Sequence, residues 1–109
     1  MVGVLIEKGA TLNPYLQTII NNMPRKPGHN RNSGIWIDPM KLLPTTQRNV
    51  FHTYAGSLTT PPCSEGVSWY VLDKPIAATE AQIRQLELLE HINNRYPLPL
   101  NGRKVAGTQ

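Results

Sequence analysis

Cysteine occurs once in these 109 residues, as Cys63. A single cysteine cannot close a disulfide within the chain, so it is a buried thiol, an exposed nucleophile, or half of a bridge whose partner lies elsewhere. Long hydrophobic runs are missing as well. The longest near the start, "VGVLI", stops at Glu7, far short of a membrane span or of the apolar stretch of a secretory leader, so neither a membrane partner nor a targeting segment is expected in this chain. Histidines at metal-ligand spacing are absent: His29, His52 and His91 stand far apart, with no H-x-H or H-x-x-x-H pattern. They read as surface or capping residues, and no metal site is expected from them. A Cys63–His52 nucleophile pair finds no support in the turn between them. Acidic residues are few, 7 against 11 basic, for a net charge of +4. The basic residues are scattered (Lys8, Arg25, Lys26, Arg31, Lys41, Arg48 and on to Lys104) and form no stripe or aromatic-interleaved patch, which argues against a nucleic-acid partner. Internal repeats and low-complexity tracts are also lacking.

What is present is an ordinary globular composition, 39% hydrophobic and 17% charged, long enough for one small domain. Residues 2–7, "VGVLIE", are apolar on both alternating faces and predict a strand covered on both sides. In "NPYLQTIINNM", Asn13 is placed to cap a helix and Pro14 to begin it, with Leu16, Ile19, Ile20 and Met23 on one face and an end before Pro24. Residues 24–33 read as an exposed loop. In "IWIDPMKLLP", Asp38-Pro39 signals a turn, and "MKLLP" is one turn of helix or a 3₁₀ piece. "NVFHTYAG", ending at Gly56, and "GVSWYVL" predict two strands; in the second, Val67, Trp69 and Val71 share one face, and Ser68, Tyr70 and Leu72 the other. "TEAQIRQLELLEHI" opens with a T-x-x-Q capping box, Thr79 to Gln82, and carries Ile83, Leu86, Leu89 and Ile92 as an apolar stripe. A proline-rich tail follows, with a short terminal strand at "RKVA". The order β, α, β, β, α, β gives an α+β fold.

Between the two central strands lies "GSLTTPPC". Proline fixes φ and removes a backbone donor, so Pro61 and Pro62 make a stiff segment that cannot continue a strand ladder. Thr59 and Thr60 are held there, hydroxyls and amides in fixed orientation. Such a turn is at least a rigid connector; here it brackets two hydroxyls that the neighbouring apolar face, with Val67 and Trp69, would approach.

The stretch "YAGSLTTPPCSEGVSWYVLDKPI", Tyr54 to Ile76, resembles the signature of the α-class carbonic anhydrases almost position for position. "VGVLIEKG" with the Asn-Pro helix, then Leu42, Leu43 and Pro44, and finally "PLNGRKV" extend the likeness along the chain. The resemblance implies a single partial domain over residues 1–109, the C-terminal portion of a family domain: a partial twisted mixed β-sheet with two short peripheral helices. It implies a zinc-dependent lyase, a carbonate dehydratase interconverting carbon dioxide and bicarbonate. Carried over, Thr59 is the catalytic threonine that orients a zinc-bound hydroxide and whose amide favours developing negative charge. Leu58, Val67 and Trp69 form the apolar substrate wall, to which Met1 also corresponds, and Thr60 is the neighbour that tunes substrate contacts. Tyr54, Ser57, Pro61, Pro62 and Arg103 are supporting positions, with the Pro61-Pro62 bond cis. An uncharged gas beside fixed hydroxyls fits this chemistry.

The family's zinc is held by an H-x-H pair and a third histidine, and this chain has none of them, so no metal is expected on the chain alone and it is expected to be inactive by itself. The acidic partner of the threonine falls outside it too. Family members with cysteine where Cys63 stands pair it with another near the start of the full domain and are exported, which makes Cys63 an orphan disulfide half and implies a periplasmic or secreted parent. A half-sheet leaves open edges, which predicts a homo-oligomer by strand exchange or complementation by an N-terminal half. A non-catalytic binding or self-assembly module is the alternative.

Overall fold

A computed structural model describes residues 1–26, 28 and 34–108. His29 and Arg31 lie outside the described residues. Two compact units form, one from residues 1–5, 44–75 and 96 onward, the other from residues 6–43 and 76–95.

The first unit is a four-stranded mixed sheet. Its strands are β1 (Val2–Gly3), β3 (Phe51–Ser57), β4 (Glu65–Leu72) and β6 (Ala106–Gly107), in the spatial order β1-β4-β3-β6. β3 and β4 are an antiparallel pair in continuous register from Phe51 opposite Leu72 to Gly56 opposite Val67, where a bulge shifts Ser57 opposite Glu65. β1 runs parallel to β4, and β6 antiparallel to β3. One sheet face carries Leu72, which is buried, and Phe51 set edge-on to Tyr70 at 5.3 Å between ring centroids. Thr108 closes the far end: Phe51 N–H donates to its hydroxyl at 2.7 Å, and that hydroxyl donates to the Asn49 carbonyl at 2.8 Å.

The second unit pairs β2 (Ile6–Lys8) and β5 (Ile76–Ala78) as a parallel ribbon under α1 (Pro14–Asn22) and α2 (Glu80–Glu90), with a 3₁₀ turn at Pro39–Leu42. Both helix starts are built as the sequence predicts: the Asn13 side chain accepts from Leu16 N–H, with Pro14 first in the helix, and Thr79 and Gln82 form the reciprocal capping box. Leu16, Ile20 and Ala78 make the core, with Leu42, Ile83, Leu86 and Leu89 packed on it. Gln82 is buried among them, with both its side-chain oxygen and its side-chain nitrogen hydrogen-bonded. Its Oε1 accepts from Asn13 N–H at 3.0 Å and Thr79 N–H at 3.2 Å, and its Nε2 donates to the Asn13 carbonyl at 2.7 Å. One side chain thus ties the two helix starts together, which is how a polar residue sits in a core without cost.

Three expectations are corrected and one strand is added. The first strand splits at Val4 and Leu5, because its two halves pair with different strands, and it is not covered on both faces: Val2, Leu5 and Ile6 are exposed. A strand at 76–78, too short for visible alternation, was not expected. Ile92 does not continue the α2 stripe; the helix ends at Glu90, His91 caps it with φ +57°, and Ile92 is 95% exposed. The terminal strand sits at Ala106–Gly107 rather than 103–106, where Thr108 can bond Phe51.

Candidate functional site

The connection between β3 and β4 is a closed turn. Leu58 N–H donates to the Ser64 carbonyl at 3.0 Å, and inside it Cys63 N–H donates to the Thr60 carbonyl at 2.9 Å. The Pro61-Pro62 bond is cis, as the resemblance implied, and lies at the centre of that inner four-residue turn. Cys63 leaves the turn with φ +56°, and Gly66 follows at φ +85°. The turn holds Leu58 half-buried and sets Thr59 and Thr60 at its exposed head. Cys63 is free and half-buried.

Beneath the turn, Tyr54 and Gly56 of β3 stand opposite Trp69 and Val67 of β4, so these four share one sheet face. Trp69 is fixed from three sides. Its Nε1 donates to the Ser57 carbonyl at 3.0 Å, and its ring stacks with Tyr54 at 6.5 Å between centroids and 9° between planes. The third contact is with backbone: a Cβ at Gly56 would stand 2.8 Å from the indole Cδ1 and 3.1 Å from Nε1, so only glycine lets the ring lie there. Arg103 reaches back from the tail. Its guanidinium donates to the carbonyls of Ala55 at 2.9 Å, Leu100 at 2.9 Å and Pro99 at 3.3 Å, and lies 5.9 Å from the Tyr54 ring centroid.

The structure therefore joins Tyr54, Ser57, Trp69 and Arg103 into one connected group, with Val67 on the same face. Met1 lies along β4: its amino group donates to the Ser68 carbonyl at 2.8 Å and its carbonyl accepts from Tyr70 N–H at 2.9 Å. A cavity of about 460 Å³ opens beside the group, lined by Ser57, Glu65, Gly66, Leu98, Asn101 and Arg103 among others. Leu58, Thr59, Thr60, Val67 and Trp69 are not part of its lining. Sequence reasoning missed Gly56, although a glycine inside a strand facing a tryptophan is a signal of close approach.

The histidines do not converge. His52 in β3 is exposed, its Nδ1 3.8 Å from Asp73 Oδ1, and His91 is the cap of α2. Among the described residues no three of His, Cys, Asp and Glu come together as a metal site. These residues do not fit a zinc ion of the kind that takes three protein ligands.

A signature-bearing turn at the head of an antiparallel pair, with an apolar face below it, defines the class of protein. The family model for eukaryotic-type carbonic anhydrases matches residues 1–109. A carbonic anhydrase of Pectobacterium carotovorum is 38% identical over 106 residues, covering 96% of this chain and 42% of that protein, and one from a Nostoc species is 42% identical, covering 96% and 39%. Among solved structures, the α-carbonic anhydrase of Thermovibrio ammonificans, in complex with the inhibitor sulfanilamide, superposes with a TM-score of 0.84 at 42% identity, over 95% of this chain and 45% of that one. The Photobacterium profundum α-carbonic anhydrase gives 0.85 at 36% identity, over 95% and 46%.

The chain belongs to the α-carbonic anhydrase family, whose members are zinc-dependent lyases. It spans less than half the length of the relatives it matches.

Proposed function

We propose that residues 1–109 are the C-terminal part of an α-carbonic anhydrase domain, contributing the substrate wall and one catalytic threonine to the reversible hydration of carbon dioxide. The observation that supports this reading is that Thr59 lies in the turn closed by Leu58 and Ser64, which joins the two strands carrying Tyr54, Val67 and Trp69 on one face. Carbon dioxide is apolar and offers no strong hydrogen bond, so Leu58, Val67 and Trp69 would hold it by contact alone. Bicarbonate is an anion, and the hydroxyl and amide of Thr59, with Thr60 beside it, would favour the charge as it develops. On this reading the metal ligands belong to another part of the domain, and these 109 residues alone are inactive.

The same reading supplies a partner. Among the described residues β1 has a neighbour on one side only, and Met1 and Val2 are exposed, a condition relieved when another strand pairs with that edge. Complementation by an N-terminal half of the domain satisfies it, as does strand exchange between two copies; a non-catalytic assembly module would use the same edge. A chain that light scattering finds stably monomeric at micromolar concentration would dispose of the strand-exchanged dimer. The test of function is a chimera in which the N-terminal portion of the Pectobacterium carotovorum relative precedes residues 1–109. Zinc-dependent carbon dioxide hydration that falls on Thr59→Ala supports the reading; a folded, zinc-loaded chimera indifferent to that substitution contradicts it.

A further inference from the structure

Arg103 is joined to the face of the sheet by two kinds of contact at once. The guanidinium is a planar fork, and three of its N–H groups are fixed on backbone carbonyls: two in the tail, Pro99 and Leu100, and one on β3, Ala55. Bonds in three directions leave the plane no freedom to turn. The fork lies against the Tyr54 ring at 5.9 Å, and the other neighbour of that ring is the Trp69 indole, nearly parallel at 9°. Ala55, whose carbonyl Arg103 holds, lies between Tyr54 and Gly56, the two β3 residues against which the indole rests.

We propose that Arg103 is a positioning residue for Trp69: with its fork fixed on the Ala55, Leu100 and Pro99 carbonyls, it layers on Tyr54 and through that ring fixes the orientation of the indole. The connection runs from the tail through Tyr54 to the indole, with no contact between Arg103 and Trp69 required. The functional meaning rests on the proposed wall role of Trp69, since a wall for a weakly held gas works only if it does not move. The orientation itself can be read without any activity.

The experiment uses the full chain carrying Trp36→Phe, so that Trp69 is the only indole; Trp36 is 96% exposed and its ring has little packing to lose. Near-ultraviolet circular dichroism and Trp69 emission are recorded well below the thermal midpoint for Arg103→Lys and Arg103→Ala, each with Tyr54 intact and with Tyr54→Leu. Lysine keeps the charge but not the planar fork. The expected result is loss of the Tyr54–Trp69 dichroic band in both Arg103 variants while far-ultraviolet dichroism stays native, and no further spectral change in the Tyr54→Leu background. A folded Arg103→Lys chain with the parent band would overturn the proposal. So would Arg103 variants that lower the midpoint yet leave the indole spectrum intact, or that alter it equally with and without Tyr54. Failure here leaves the wall role of Trp69 standing, because that is tested separately by Trp69→Ala in the active chimera.

Discussion

Replacing Gly56 by alanine is the sharpest perturbation the sheet face permits. The added methyl would stand 2.8 Å from Trp69 Cδ1, 3.1 Å from Nε1 and 3.3 Å from Tyr54 Cε2. Those atoms belong to rigid rings, one held by the bond to Ser57 and the other by Arg103, so neither yields as the end of a flexible chain would. Overpacking of this kind costs about 1–3 kcal/mol. If the indole retreats far enough to release the Ser57 carbonyl, about 1 kcal/mol more is lost. Against this, alanine recovers about 0.5–1 kcal/mol by restricting the unfolded chain. The net expectation is a destabilisation of about 2 kcal/mol, which lowers the thermal midpoint of a chain this size by about 8 °C. Urea unfolding followed by Trp69 fluorescence in the Trp36→Phe background measures it. In a Trp69→Leu background, followed by far-ultraviolet dichroism because no indole is left to report, the same glycine substitution should cost clearly less, because the nearer of the two rings is gone and only the 3.3 Å approach to Tyr54 remains. An equal or higher midpoint for Gly56→Ala, or a cost undiminished without the indole, would refute the close-approach argument.

Other expectations concern the second unit and the turn. Gln82→Ala leaves the Asn13 and Thr79 amides without their partner, while the Asn13 carbonyl keeps its bond from Gln17 N–H; the expected loss is about 2–4 kcal/mol, with both helices loosening together in far-ultraviolet dichroism and hydrogen exchange. Loss of one helix alone would contradict the coupling. Thr79→Ala removes only the cap of α2 and should cost about 1 kcal/mol in the same urea assay. In the active chimera, Thr59→Ala should lower kcat by about 100-fold, the usual scale for one well-placed group favouring a developing anion, in a stopped-flow hydration assay.

Local chemistry made the helices legible. Asn13-Pro14 and the Thr79–Gln82 box mark both starts to the residue, and their apolar spacing names Leu16, Ile20, Ile83 and Leu86 as core or core-packed. The central hairpin was equally clear from alternation in "GVSWYVL". What stayed hidden depends on partners distant in sequence. Nothing between Val2 and Lys8 announces that one half pairs with Tyr70 and Val71 and the other with residues 76–78. Ile76–Ala78 is too short, and too rich in alanine, to show a period. Spacing alone extends the helical stripe through Ile92, because it does not register that His91 turns the backbone to positive φ. At the candidate site, the residue types came from the family likeness, whereas the layering of Arg103, Tyr54 and Trp69 over Gly56 is a tertiary fact that a linear string does not encode.

The most direct test of the account is elemental analysis of zinc on the purified 109-residue chain, refolded with zinc and dialysed, together with its carbon dioxide hydration rate. The account predicts metal near zero per chain and no hydration above the uncatalysed background. About one zinc per chain with zinc-dependent hydration would contradict it, because the ligands would then have to come from this chain itself.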